Sequence, residues 1–170
     1  MLTPPKLSAD PPELEITSED IHRIRGEEGE VPVTVSGLTN DDADLAAVTR
    51  LLSDYARFVD DRDADAWADL FGVDGALVVG DREIAGKSSL AEFGRRSPRG
   101  VHMQGLPSLA RRADGGLDAI SSFVFLNGTS GEILAGTYTD HLTYTDHCLQ
   151  FRLRHISIRV RLEASTGLSH

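Results

Sequence analysis

The stretch YARFVDDRDADAWADLF, residues 55–71, joins two apolar patterns through a group of three aspartates, Asp60, Asp61 and Asp63. Asp63 can cap a second helix, because a carboxylate at that position accepts a backbone N–H of the first turn. The end of the first helix carries partial negative charge, so further carboxylates there are locally unfavourable. Asp60 and Asp61 therefore call for an explanation other than helix capping.

Upstream and downstream of this stretch, the apolar spacing predicts three helices. The first begins near Thr39 or Asn40 and buries one face, on which Tyr55 lies. The second runs from about Ala64 to Phe71, and the third covers SSLAEFGRR, residues 88–96. The apolar face of the first helix consists of Leu45, Val48, Leu52, Tyr55 and Val59.

After the third helix the sequence changes to strand-like segments separated by ADGG, NGTSG and DH. The glycines and asparagines of the first two connections supply the positive φ angles that hairpins need. The last strand changes phase between two apolar runs, which predicts a β-bulge near His155 and a strongly bent sheet. The order of elements predicts an α+β fold, in which a strongly curved antiparallel sheet wrapped by three helices encloses a cone-shaped apolar pocket.

The 170 residues suffice for one domain, which we place at residues 39–162. Residues 1–38 form a proline-rich, acidic appendage that we expect to be extended or partly disordered, and residues 163–170 form a short tail. A formal net charge of −10 argues against nucleic acid or a membrane as partner. The arginines of the last strand alternate, as is typical of a solvated face.

The single cysteine, Cys148, excludes an intrachain disulfide and a cysteine-based metal site. His141 and His147 are six residues apart on one strand, about 20 Å, so they cannot share a metal there. No metal and no organic cofactor is expected. The N-terminus has no apolar signal core, and a cytoplasmic location is the expectation.

Three polar residues on apolar segments are candidates for chemistry. Tyr55 could equally be a core tyrosine or a ligand-binding one. His102 begins a strand, where it could act in proton transfer or lie on the surface. Asp60 would lie about 140° from Tyr55 on a continued helix and would face solvent.

In this order, the segments YARFVDDRDADAWADLFGVDGALVV, HMQG, GTYTDHLTYT and FRLRHISIRV resemble the SnoaL-like domains over residues 41 to about 162. These domains belong to the superfamily named after nuclear transport factor 2, with ketosteroid isomerase and scytalone dehydratase as relatives. The resemblance implies a curved sheet and three helices around a deep apolar pocket. It also implies a homodimer or homotrimer that associates through the open face of the sheet.

The resemblance assigns roles to particular residues. Asp60 matches the aspartate that dehydratases of this kind pair with a strand histidine, and His102 matches that histidine. The helix would then end so that Asp60 turns into the pocket and holds one tautomer of the imidazole. Tyr55 and Asp140 match two donors to a substrate oxygen in the isomerases, the second if burial keeps it protonated. Asn127 is the nearest candidate for a further polar group.

The resemblance places the basic aspartate of the isomerases near Val79. Asp81, two residues later on the same strand face, could substitute for it only with a local shift. The pocket walls are predicted to include Trp67, Phe71, Met103 and Tyr138. The implied function is cofactor-independent lyase or isomerase chemistry on an apolar polyketide- or steroid-like small molecule. A polyketide cyclase, including a pericyclic one that works by pocket shape, and a non-catalytic binding or association domain are the alternatives.

Overall fold

The computed structural model describes residues 40–146 and 148–163. The predicted appendage, residues 1–38, lies outside the described residues, and so does the predicted tail from residue 164 onward. Three helices and seven strands are present in the described ranges: α1 Asn40–Asp60, α2 Ala64–Asp69, β1 Phe71–Val79, β2 Arg82–Ala85, α3 Lys87–Arg96, β3 Gly100–Gln104, β4 Ser108–Arg111, β5 Leu117–Asn127, β6 Ile133–Thr145 and β7 Cys148–Leu162. The described helices include none that is both long and apolar enough to span a bilayer.

The seven strands form one open, curved sheet in the order β2-β1-β7-β6-β5-β3, and β4 pairs with the other half of β5. The α+β class and the curved sheet agree with the prediction. All neighbouring pairs are antiparallel except β1 and β7, which run parallel. Side-chain alternation reports which face a residue occupies and not which strand lies beside it, so the parallel pair could not be predicted.

Two bulges bend β7, one on each side of His155, near which the sequence predicted a bulge. Opposite β6, the pairing passes from Phe151 directly to Leu153, so Arg152 is the extra residue of the first bulge. The second bulge has Arg159 as its extra residue. The first bulge turns both Phe151 and Arg154 into the interior, where each is fully buried.

The core lies between the inner face of the sheet and the helices α1 and α2. Helix α1 contributes Val48, Leu52 and Tyr55 from its predicted apolar face. Helix α2 begins after Asp63, whose carboxylate accepts the backbone N–H of Ala66 at 3.1 Å, as predicted. Trp67 of α2 packs against Tyr55 of α1, and this contact closes one side of the interior.

Candidate functional site

A cavity of about 180 Å³ lies between α1, α2 and the inner face of the sheet. Its lining is almost entirely carbon. The aromatic part of the lining is Tyr55, Trp67, Phe93, Phe123, Phe125 and Tyr138. The aliphatic part is Val59, Val79, Pro98, Leu134, Ile156 and Ile158. Two polar residues, His102 and Ser97, complete it, so a bound molecule would meet few polar groups at defined positions.

Helix α1 ends beside this cavity in a turn that reverses the chain within three residues. The N–H of Asp63 donates to the carbonyl of Phe58 at 2.9 Å, and the N–H of Arg62 donates to that of Val59 at 3.3 Å. Arg62 has a φ of 64°, in the left-handed region, so the bonds and dihedral together define a Schellman motif. The turn terminates the helix one residue after Asp60.

The Arg62 side chain fixes this turn to a second helix end. Its guanidinium donates to the carbonyl oxygens of Arg95, in the last turn of α3, and of Ser97, the residue after this helix, at 2.5 and 3.1 Å. Free carbonyls at a helix C-terminus favour such a cation. The turn after Asp60 and the loop that carries Ser97 into the cavity wall are therefore held together by one side chain.

Asp60 contacts His102 at two points. Its Oδ1 lies 2.5 Å from the ring Nδ1, and its Oδ2 accepts the backbone N–H of His102 at 2.8 Å. Both side chains are mostly buried, at 15% exposure for His102 and 21% for Asp60. A carboxylate beside Nδ1 retains the ring proton there, so in the neutral ring Nε2 carries the lone pair. Within the described part of the chain, Nε2 has no hydrogen-bond partner.

The position of His102 follows from strand pairing. His102 lies opposite Phe125 in the β3–β5 ladder, and the two rings are 4.5 Å apart. Gln104, on the same face of β3, donates to the carbonyl of Leu52 in α1 at 2.7 Å. The free edge of β3 is thus attached to α1 through Asp60 and through Gln104, which fixes the imidazole against the cavity.

Tyr55 lies deep in the interior, and its ring packs against those of Trp67 and Tyr138 with centroids 5.4 and 5.9 Å apart. Burial raises the pKa of Tyr55 above its ordinary value, although nearby Arg154 acts in the opposite direction. Burial likewise raises the pKa of Tyr138 well above its ordinary value. Both hydroxyls are therefore protonated donors over the physiological range.

Asp140 does not have the predicted role. It forms a doubly hydrogen-bonded ion pair with Arg154, at 2.8 and 2.7 Å, and both side chains are completely buried. Burial alone would lower the pKa of Arg154, but the Asp140 carboxylate raises it above its ordinary value. Both carboxylate oxygens of Asp140 accept hydrogen bonds from the guanidinium and Asp140 does not line the cavity, so it is not placed to donate to a bound molecule.

Arg154 corrects the expectation that the arginines of the last strand form a solvated face. Its guanidinium lies about 4 Å from the ring centroids of Tyr55, Tyr138 and Phe151, a cation–π arrangement on three sides. The sequence did not reveal that Arg154 faces inward, because the bulge at Arg152 changes the alternation of side chains along β7. The phase slip in the last strand was the signal for this bulge, but the predicted position near His155 is three residues after the observed one.

Three predicted pocket residues lie elsewhere. Met103 is 59% exposed on the outer face of β3, because side chains alternate along the strand and His102 faces inward. The side-chain oxygen of Asn127 accepts the N–H groups of Thr129 and Ser130 in the β5–β6 turn. Phe71 packs against Trp67 in the core and does not reach the lining.

The alternative basic aspartate, Asp81, is exposed in the β1–β2 turn, while Val79 lines the cavity. Trp67 and Tyr138 do line the cavity, as predicted. Among the residues that the structure describes, no group of three or more His, Cys, Asp or Glu side chains is arranged to hold a metal ion. The roles of Tyr55, Asp60 and His102 stay predictions.

An open, curved sheet and helices around an apolar cavity define a domain of the superfamily named after nuclear transport factor 2. Within it, the family model of the SnoaL-like domain matches residues 41–155, and the chain belongs to that family. A comparison with curated protein sequences found no significant match.

Solved structures with the same fold share little sequence with this chain. A protein of unknown function from Mycobacterium tuberculosis is 21% identical, with a TM-score of 0.66, over 71% of this chain and 74% of its own. A putative scytalone dehydratase from Novosphingobium aromaticivorans is 15% identical, with a TM-score of 0.64, over 76% and 97%. A hexachlorocyclohexane dehydrochlorinase from Novosphingobium barchaimii is 17% identical, with a TM-score of 0.64, over 73% and 92%. At such identities the likeness establishes the fold alone.

Proposed function

We propose that this chain is an acid–base lyase or isomerase that acts on an apolar, ring-bearing small molecule such as a polyketide- or steroid-like compound. One observation carries the proposal: His102 lines an otherwise apolar cavity, and its Nδ1 lies 2.5 Å from Oδ1 of Asp60. A positioned imidazole next to a carboxylate is the usual arrangement for moving a proton. The names of the dehydratase and dehydrochlorinase neighbours are compatible with such chemistry.

In the proposed mechanism His102 is the base. Its Nε2 lone pair accepts a proton from a substrate carbon, and Asp60 stabilises the imidazolium that forms. The electron pair left on carbon either moves to a substrate oxygen or expels a leaving group from the neighbouring carbon. Tyr55 donates its hydroxyl proton in a hydrogen bond to oxygen that gains negative charge. The apolar lining limits the access of water to this charge.

The proposal can be tested without the natural substrate by measuring proton exchange on a ring ketone, α-tetralone, in D₂O. His102 would remove a proton from the carbon next to the carbonyl, the electron pair would move to oxygen, and a deuteron would return to carbon. NMR follows the loss of the proton signal. We expect exchange with the native chain to exceed the uncatalysed rate, and the same rate with and without protein would contradict the proposal.

The chain offers a matched control for this experiment. His141 and Asp118 form a second histidine–aspartate pair, with Nδ1 to Oδ1 at 2.6 Å, on β6 and β5. Their side chains are 40% and 44% exposed and line no part of the cavity. His102→Gln should abolish the exchange and His141→Gln should leave it unchanged.

The same assay separates the two alternatives. A cyclase that works by shape would catalyse no proton exchange. Its ring-closing activity would persist in His102→Gln and would be lost when a wall residue such as Phe123 is changed to Ala. A binding domain would hold α-tetralone, with perturbed cavity signals, and return it without deuterium. Either pattern would replace the acid–base proposal.

A further inference from the structure

The cavity is small for the substrates proposed above, and a second space adjoins it. Ligand sites usually measure about 300–1,000 Å³, whereas the cavity measures about 180 Å³. A groove of about 550 Å³ lies next to it, and three residues line both spaces: Phe93, Ser97 and Pro98. These residues are the boundary that a molecule larger than the cavity would cross to reach the groove.

The groove runs between helix α3 and strand β2. The residues of α3 that line it follow the i, i+3, i+4, i+7 rule and so form one face of the helix: Ser89, Glu92, Phe93 and Arg96. On the other side the groove touches Arg82–Ala85, the whole of β2. Because consecutive side chains of a strand point to opposite faces, a groove that touches all four residues runs along the edge of the strand.

The backbone of β2 has unused hydrogen-bonding groups at this edge. β2 is the last strand in the sheet order, and among the described strands it pairs with β1. In an antiparallel pair, every second residue directs its N–H and C=O away from the partner strand. No backbone hydrogen bond from another described element reaches Arg82–Ala85. An extended chain with its own N–H and C=O groups is complementary to such an edge.

The groove and the cavity differ in polarity, and the charges of the groove are balanced. The cavity is lined almost entirely by carbon, whereas the charged residues of the groove are two arginines and two glutamates: Arg82, Arg96, Glu83 and Glu92. Arg96 and Glu92 already bind each other at 2.5 Å. Since cations and anions are equal in number, the groove favours a polar chain without net charge over an anionic or a cationic one.

We propose that the substrate spans both spaces, with an apolar ring system in the cavity and an uncharged, amide-bearing chain in the groove along β2. The inference rests on the proposed function and narrows its substrate class. The ring stays beside His102, and the chain crosses from the cavity to the groove at Phe93, Ser97 and Pro98. The amides of the chain pair with the free edge of β2.

Four probes with the same ring test this assignment by titration calorimetry. One is α-tetralone, and the others are α-tetralone with one of three chains of equal length on C6: a chain with two amide groups, an alkyl chain, and a chain that ends in a carboxylate. We expect the amide chain to tighten binding about tenfold over α-tetralone, which is about 1.4 kcal/mol, and to exceed both other chains. An amide chain that adds no affinity, or that either of the other chains equals, would overturn the proposal.

The place of the amide chain is measured from the backbone amide NMR signals of the isotope-labelled native protein. The amide-chain probe should move the signals of Arg82–Ala85 together with that of His102. By contrast, α-tetralone should move the signal of His102 and leave those of β2 nearly in place. A gain in affinity without any change in the signals of β2 would put the chain elsewhere and overturn the proposal.

A substitution that fills the groove gives an independent test. Ser89 lines the groove and its neighbour Ser88 does not, although both are exposed on α3. Ser89→Trp should abolish the preference for the amide-chain probe over α-tetralone, because the indole occupies the space of the chain. Ser88→Trp is the matched control and should retain the preference. A preference that the two variants share, whether kept or lost, would overturn the proposal.

Failure of this inference differs from failure of the proposed function. Proton exchange is measured with α-tetralone, which has no chain, so it does not depend on the groove. If α-tetralone exchanges its proton through His102 and the amide chain adds no affinity, the acid–base function stands and the groove is not a subsite. If the amide chain binds along β2 and no proton is exchanged, the groove is a subsite of a binding domain and the acid–base function fails.

Discussion

Asp60 and Asp140 are both aspartates of the interior that the sequence resemblance assigned to catalysis, and they have opposite surroundings. Asp60 binds the imidazole of His102, a residue that lines the cavity. Asp140 binds a guanidinium that three aromatic rings enclose, and the pair is fully buried. We propose that the first pair exchanges a proton with a bound molecule. The second pair joins β6 to β7, and its guanidinium packs on the Tyr55 ring of α1.

Burial and a short contact therefore do not by themselves define a reactive group. The exposed pair of His141 and Asp118 has almost the same Nδ1 to Oδ1 distance as His102 and Asp60, 2.6 against 2.5 Å. What distinguishes His102 is that it lines an apolar cavity, whereas His141 does not. Replacing Asp140 should therefore lower the stability of the fold, and replacing Asp60 should lower the activity.

The largest expected effect is on stability. Asp140→Ala leaves Arg154 charged and unpaired in the interior, which should lower the free energy of unfolding by about 3–5 kcal/mol. The matched change Asp65→Ala removes a partner of Arg95 at the surface, with a contact of 3.1 Å, and should cost less than about 1 kcal/mol. Urea unfolding of both variants measures the difference, and equal losses would contradict the structural role of Asp140.

The next effect is on proton exchange. His102→Gln should lower the exchange rate of α-tetralone by about 100-fold or more, because it removes the general base. His141→Gln should change the rate less than about twofold, since general acid–base catalysis needs contact with the substrate. Similar losses in both variants would mean that the exchange takes place outside the cavity.

A smaller loss is expected when the base remains and its orientation is lost. Asp60→Asn should lower the exchange rate by about tenfold or more, because an amide no longer fixes the proton on Nδ1. Asp118→Asn is the control and should have no effect on exchange. If the two variants have the same activity, Asp60 does not position His102.

The buried tyrosines predict a pH dependence of stability. The folded pKa values of Tyr55 and Tyr138 are raised above the ordinary value, mainly by burial. Their stabilising contribution is complete below the unfolded pKa of about 10 and decreases as the pH rises above it, by about 1.4 kcal/mol per pH unit for each group that ionises only on unfolding. Unfolding in urea between neutral and strongly alkaline pH should show this decrease, and Tyr138→Phe should reduce its slope. If Tyr138→Phe leaves the slope of the free energy of unfolding against pH unchanged, the burial of Tyr138 does not cause this pH dependence.

The smallest effect concerns association. Met103, Val101 and Leu126 are exposed on the outer face of neighbouring strands, an apolar surface of the kind that binds a partner. We expect a homodimer or homotrimer that uses this face, so Met103→Glu should shift the mass measured by light scattering toward the monomer. Because Met103 lies outside the cavity, proton exchange should be unchanged. If the native chain and Met103→Glu have the same mass, this face is not the surface through which the subunits associate.

The sequence predicted those features that local pattern controls. The spacing of apolar residues gave the three helices, and Asp63 caps α2 because capping depends on a few adjacent residues. Helical periodicity placed Asp60 toward solvent, and only the family resemblance turned it inward. The physical reason is the left-handed residue Arg62, which ends the helix and has none of the usual signals of such a position.

The remaining errors share one cause, which is that side-chain direction in a sheet depends on register. Met103 faces outward because it is one residue from His102, and Arg154 faces inward because of the bulge at Arg152. Neither the bulge position nor the partner of Asp140 can be read from alternation along a single strand.

The most direct test of the central claim is the tautomer of His102, measured from the NMR signals of its two ring nitrogens in the native chain, in Asp60→Asn and in Asp118→Asn. We expect the neutral ring of the native chain to carry its proton on Nδ1, and Asp60→Asn alone to change this. A proton on Nε2 in the native chain, or a His102 ring that is insensitive to Asp60, would contradict it.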